Sequence, residues 1–492
     1  MADDILTQLD QHLGRPREPR PVARADSVPE EQAAPLAPAH RRPGIRERWP
    51  WLESFLVIQF LWGAALFLPN AQLIRPVVRA LPYVSSIALL ALYLPQKTER
   101  KHPASTSLLI LALVVLAANL LHPTSQFGAG VAQAGFQLTI AAPLFWAWKA
   151  VGDEARLVKL LKIILLLNVL SAGLGVLQVY FPDRFLPPQF SSLGMQLSDT
   201  WVEELTYEGA DGRVIVRPPG LTDQPGGAAI AGATAAVLGL GLCLLPAVRG
   251  FRALALAGTG IGLGVLYLTQ VRSLLLMCII GFVVMALLMF RRGRFAAGGA
   301  LLVGGGVLVV ASFLWAASVG GEQVLDRYVN IAEKGAVQTY RENRGQFLSY
   351  TLGELLDEFP LGAGIGRWGM MFVYFGDPTD LSAPPIHAEI QLTGWLLDGG
   401  VPLWLCYGGA VLVALLGALR CALQRRSVLA ADLGTIALAA MVFIVGMGFA
   451  GPIFNTQTGL LFWFLAGALH GGTYGTRRNP SRTRLAAAEE AA

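Results

Sequence analysis

Apolar stretches of about twenty residues recur along this chain, and no other feature limits its fold so strongly. A helix needs ~20 residues to cross a hydrocarbon core of about 30 Å. Twelve stretches suit that length, near 53–70, 78–95, 105–122, 131–149, 159–181, 225–247, 251–270, 273–290, 295–318, 395–419, 428–450 and 456–471. Unpaired backbone is not tolerated in lipid. The expected fold class is therefore an all-α polytopic membrane protein with about twelve transmembrane helices. Of the 492 residues, 54% are hydrophobic and only 14% are charged, against about 25% charged in soluble domains. That balance excludes a disordered chain, a disulfide scaffold and an ordinary soluble enzyme.

The remaining sequence divides around these stretches. Residues 1–50 are rich in Pro, Ala and Arg and lack a sustained apolar run, which predicts a disordered cytoplasmic tail rather than a signal peptide. A transmembrane domain is expected over 51–471, and a second cytoplasmic tail over 472–492. Turns that share a side with the N-terminus carry Lys97, Arg100 and Lys101; Lys149, Arg156 and Lys159; Arg249 and Arg252; Arg291, Arg292 and Arg294; and Arg420, Arg425 and Arg426. The opposite short turns carry only Arg75, Arg79 and Arg272. Cationic residues favour the cytoplasmic side, so both termini are expected inside. The long hydrophilic loops, about 182–224 and 319–394, then face outward. The same rule explains the net charge of +5, and no nucleic acid partner is needed.

Soluble-enzyme signatures are lacking. The chain has no Walker A loop, HExxH, GxSxG or zinc spacing. Cys243, Cys278, Cys406 and Cys421 form no CxxC pair and read as buried, inert thiols. The run Gly362-Ala363-Gly364-Ile365-Gly366 lacks the strand-to-helix setting of a dinucleotide loop. Asp377 and Asp380 are the nearest approach to a carboxylate pair, and a solvated turn is the expected reading. No metal and no cofactor is expected.

What the topology leaves unexplained is a set of outward cations. Arg272 lies between two spans in Thr269-Gln270-Val271-Arg272-Ser273, either snorkelling to headgroups or binding an anion. Arg217 opens Arg217-Pro218-Pro219-Gly220, just before a span, where a helix-entry turn is the plainer reading. Arg341 and Arg344 lie three apart on an expected amphipathic helix ending at Pro360, with a solvated face as the alternative. His387 follows Pro384-Pro385 and opens an apolar helical run; alone, it reads as a structural hydrogen-bonder. Together these residues put several guanidiniums and one imidazole on one membrane face. Guanidiniums bind phosphate bidentately, and an imidazole accepts a proton near neutral pH.

On these residues the chain resembles the bacterial O-antigen ligase and polymerase superfamily of integral-membrane glycosyltransferases, over about 160–450. The matching elements are Arg217 to Gly220, Val271-Arg272, Arg344 before Pro360-Leu361-Gly362-Ala363-Gly364-Ile365-Gly366, and His387 before Asp398-Gly399-Gly400-Val401-Pro402. The family usually has Asn after its His. Here Ala388 follows, with Glu389 or Gln391 as substitute partners. The resemblance implies a GT-C-like fold with a large helical periplasmic loop. It also implies inverting, metal-independent transfer from an undecaprenyl-diphosphate-linked glycan to a saccharide or lipid A-core acceptor at the inner membrane. His387 and Arg272 would be catalytic, and Arg217, Arg272, Arg344 and Arg341 would hold diphosphate. Ligase, polymerase and protein O-oligosaccharyltransferase share this donor chemistry and stay open. A polysaccharide or lipid-linked-sugar transporter or flippase is the alternative; it requires charges within the spans, where Asp398 and Asp432 are the candidates.

Overall fold

In this computed structural model residues 50–68, 74–98, 100–187, 206–222 and 226–478 are described. The expected N-terminal tail, apart from Pro50, lies outside them, as do 188–205, 223–225 and the last fourteen residues of the C-terminal tail. The described chain is mostly helical. In order come α1 (Trp51–Leu61), α2 (Arg75–Tyr93), α3 (Thr106–Ala118), α4 (Phe127–Ala150) and α5 (Glu154–Tyr180). Strands β1 (Thr206–Glu208) and β2 (Val214–Val216) follow, then α6 (Ala228–Leu242), α7 (Arg252–Leu268), α8 (Arg272–Arg291) and α9 (Phe295–Lys334). After short α and π turns over 336–358 come α10 (Gly369–Phe375), α11 (Gln391–Ala422), α12 (Val428–Met447) and α13 (Gln457–Arg478).

A helix occupies each of the twelve apolar stretches, and among the described residues α10, a turn at Pro182–Phe185 and the short turns over 336–358 lie outside them. Six are long and apolar enough to cross a membrane: Glu154–Tyr180, Val248–Leu268, Arg272–Arg291, Phe295–Asp326, Gln391–Ala422 and Val428–Met447. The last helix runs to Arg478, past Gly472, where the tail was expected to start. The β1–β2 hairpin, antiparallel with Tyr207 opposite Ile215, qualifies the all-α expectation. Its turn holds Asp211-Gly212, the residue pair such hairpins favour.

Small residues let the helices approach closely, the usual means of association in lipid. A Cβ on Gly232 of α6 would stand 2.6 Å from the Gly262 carbonyl of α7. Aromatic residues fill the centre. Trp146, Tyr407, Phe454, Trp463 and Phe464 are buried, with Phe55 edge-on to Trp146 at 5.0 Å and Trp463 Nε1 donating to the Tyr407 hydroxyl at 3.0 Å.

Polar contacts gather at two ends of this bundle. At the basic end, Lys149 Nζ donates to the carbonyls of Tyr93, Leu94 and Gln96 at 3.0–3.1 Å. Nearby, Arg292 and Arg294 pair with buried Asp432 at 2.7 and 2.6 Å. Asp153 and Ser427 cap α5 and α12 there, accepting from the Arg156 and Ala430 amides. The loop end is built from 119–126, 206–222, 359–390 and 448–456.

Candidate active site

At the loop end the run 360–366 wedges into a break in α11. Gly400 leaves helical geometry at φ 62°, ψ −157°. The Val401 amide donates to Pro360 O and the Ala363 amide to Leu397 O, both at 2.8 Å. Gly362, Gly364 and Gly366 all have positive φ. At Gly366 a Cβ would lie 2.3 Å from the Gly130 amide nitrogen, so only glycine passes between the run and the head of α4. This is a packing role, with no phosphate loop in it.

The run delivers two side chains. Trp368 Nε1 donates to buried Asp398 at 2.8 Å, and Gln133 Nε2 donates to the same carboxylate at 3.1 Å. Arg367, almost fully buried, donates through Nε to Pro384 O at 2.9 Å and through Nη1 to Ala363 O at 2.7 Å. Its own carbonyl accepts from the Ile386 amide at 2.9 Å. Burial pulls the Arg367 guanidinium below the usual arginine value, opposed by the charges of Glu358 and Asp380. Arg367 therefore staples the segment that ends at His387.

His387 is 72% exposed, and its Nε2 lies 2.9 Å from Glu389 Oε1. The other Glu389 oxygen, Oε2, pairs with Arg344. Phe347, one turn beyond Arg344, sets its ring 6.2 Å from the imidazole. Arg344 lies in the π-helical turn Arg341–Gly345, whose following residues are tied to α11 by a 2.6 Å bond between the buried Thr351 and Thr393 hydroxyls. Of the two substitute partners, Glu389 meets the histidine. Gln391 turns away: its Oε1 accepts from the Phe454 amide at 2.7 Å. Ala388 packs against the apolar group of Ala363, Trp368 and Leu397, which a polar Asn there would disrupt. The helix itself opens at Gln391 rather than at His387, because Ile390 is extended at φ −120°, ψ 157°.

Arg217 and Arg272 sit elsewhere at the same end. Arg217 follows β2, where Gly220 is held by Gln178 through bonds of 2.8 and 3.0 Å and the Arg217 carbonyl accepts from Gly226 at 3.0 Å. Burial lifts the phenol of Tyr207, and the positive charge of Arg217 opposes the shift. Arg272 is the first residue of α8, reached through Gln270 at φ 56°, an uncommon conformation for a side-chain-bearing residue. Helices α6 and α8 pack together, so both arginines stand at the N-terminal heads of neighbouring helices. Arg341 is exposed, one turn before Arg344.

Asp377 and Asp380 each close their own turn. Asp377 Oδ1 accepts from the Thr379 amide and hydroxyl at 2.8 and 2.6 Å, and Asp380 Oδ1 from those of Ser382 at 2.9 and 2.6 Å. These bonds hold both carboxyls below the usual carboxylate range. Among the described residues no group of three His, Cys, Asp or Glu side chains is placed to hold a metal. Sequence reading passed over Arg367 and Gln133, whose only trace there is a charged or amide side chain in an otherwise apolar context. No protein-family model matches this chain, and comparison with curated proteins gives no match.

Proposed function

We propose that this chain is a multi-pass membrane glycosyltransferase of GT-C-like architecture, with twelve spans and both termini cytoplasmic. It transfers a glycan from an undecaprenyl-diphosphate donor to a saccharide or lipid A-core acceptor at the outer face of the inner membrane. The observation that carries this reading is the bridged set His387–Glu389–Arg344 on the exposed loop end. A carboxylate only accepts hydrogen bonds. With Glu389 ionised, the proton of the imidazole sits on Nε2 and the lone pair on Nδ1. Nδ1 takes the proton of the acceptor hydroxyl as its oxygen attacks the anomeric carbon. The bond from that carbon to the diphosphate oxygen breaks, inverting the centre, and the diphosphate leaves with the electron pair. Arg217 and Arg272, at the heads of α6 and α8, meet that anion with guanidinium charge and helix dipole together. Arg344 holds Glu389, and Arg341 adds positive potential beside it.

A lipid-linked-sugar transporter needs ionisable groups free along a path through the bilayer. The two candidate acids, Asp398 and Asp432, favour transfer instead, because both are engaged: Asp398 by Trp368 and Gln133, Asp432 by Arg292 and Arg294. The test is deletion of the gene and complementation with His387→Ala or Arg272→Ala, followed by gel analysis of surface polysaccharide. Both variants are expected in the membrane at normal levels, with transfer reduced roughly 10²- to 10⁴-fold. In the deletion strain, lipid A core without long chains identifies a ligase, and single-repeat chains identify a polymerase. Transfer at the normal rate in either variant removes that residue from the mechanism.

A further inference from the structure

A cavity of about 420 Å³ lies between α1, α2, α4, α5, α6 and α13, reaching inward from the loop end. None of His387, Arg217, Arg272, Arg341 or Arg344 lines it. Its wall carries the side-chain amides of Gln59, Gln133, Asn168 and Asn455, with hydroxyls such as Ser171 and Thr234. Asn168 and Thr234 lie near the middles of α5 and α6, deep in the bundle, where packing in lipid favours apolar contact and an unmet polar group costs several kcal/mol. Gln59 is 8% exposed, and its Nε2 is used by Pro82 O at 3.0 Å and Ser85 Oγ at 3.3 Å. Its Oε1 has no hydrogen-bond partner.

Aromatic faces and charge complete the chemistry. Tyr83 and Phe136, in contact at 4.5 Å, together with Phe60 and Trp368, offer ring surface beside the amides. Among the described residues, the charged side chain in the wall is Arg79, which donates to the Tyr374 hydroxyl at 3.1 Å, and none of them brings a carboxylate to the space. A zwitterionic lipid headgroup would need both signs of charge. A sugar ring needs neither, because its hydroxyls pair with amides while its C–H face lies on an aromatic ring. The volume sits at the small end of ligand pockets, about 300–1,000 Å³. On the loop side the wall is the first turn of α10, through Gly369, Met370 and Met371. The far turn of α10 exposes Val373 and Phe375.

We infer that this cavity binds a neutral saccharide unit of one or two rings. The inference does not rest on the transfer reading, since a transferred glycan and a carried glycan would both present such a unit. The test uses the full chain in nanodiscs of phosphatidylethanolamine and phosphatidylglycerol. Saturation-transfer NMR is run with glucose, galactose, rhamnose and N-acetylglucosamine as probes, and with glycerol phosphate as the headgroup probe. At least one sugar is expected to show transfer. Its affinity should fall at least tenfold in Ala231→Phe, which fills the space, and in Gln59→Leu, which removes an amide side chain from the wall. Folding of each variant is checked by circular dichroism and elution volume, and either folded variant suffices for the comparison. The inference is overturned if no sugar binds the unaltered protein, if binding persists undiminished in a folded variant, or if glycerol phosphate binds in place of sugar. Loss of transfer in His387→Ala beside absent sugar binding would leave the enzyme reading standing and remove this one.

Discussion

Glu389 decides how the exposed imidazole of His387 can act. Its two oxygens face two different groups, Nε2 of His387 and the guanidinium of Arg344, so one side chain fixes both a tautomer and a distance between charges. Glu389→Gln keeps an acceptor oxygen but loses the charge that strengthens both bonds. Glu389→Ala loses the acceptor as well. With each charge-assisted bond worth about 1.5–3 kcal/mol and 1.36 kcal/mol equal to a factor of ten in rate, transfer should fall about tenfold in the Gln variant. About a hundredfold loss is expected in the Ala variant. Initial rates with a lipid-linked donor in detergent measure both, and an Ala variant at full rate would exclude the bridge from catalysis. The sequence displayed Glu389 and Gln391 as equal candidates, since both sit within one turn of the histidine. What separates them is the extended Ile390, which sends Gln391 toward Phe454, and backbone geometry of that kind has no signature in residue type.

At the scale of elements, the twelve apolar stretches announced their helices because length and hydrophobicity are local properties. The joints between helices were not legible in the same way. Arg367 reaches Pro384 and Ala363 within its own loop, while Gly366 touches Gly130 across 236 positions, and contacts of that span are fixed only by packing. The Gly-rich run shows the consequence: its sequence excluded a dinucleotide loop for want of a strand-to-helix setting but did not display its role, and its geometry makes it a wedge between the head of α4 and the break in α11. Gly366 and Gly369 separate close approach from backbone strain. Both have positive φ, at 84° and 68°, but a Cβ at Gly369 would meet open space. Gly369→Ala should therefore cost about 1–2 kcal/mol, the penalty of the left-handed conformation alone. Gly366→Ala adds a clash with backbone and should cost about 1–3 kcal/mol more. Thermal unfolding followed by tryptophan fluorescence would rank them, and equal losses would mean that the wedge is not tight.

Across the whole molecule, charge is sorted by end. Lys149, Arg292 and Arg294 cap carbonyls or pair with Asp432 at the basic end, where their bonds also stabilise the turns. At the loop end Arg344 and Arg367 organise a histidine-bearing segment instead. The proposed orientation puts the basic end in the cytoplasm, as the positive-inside rule favours, and with it the bridge at His387 on the outer face. An outer-face transfer and this sorting therefore stand or fall together. In a background with Cys243, Cys278, Cys406 and Cys421 replaced by serine or alanine, a cysteine at the exposed Leu381 should react with a membrane-impermeant maleimide in intact cells. A cysteine at the exposed Arg426, in the turn between α11 and α12, should react only after permeabilisation. The reverse pattern would put His387 in the cytoplasm, where an acceptor on the outer face could not reach it, and the proposed reaction would have to be abandoned even if every residue-level substitution behaved as expected.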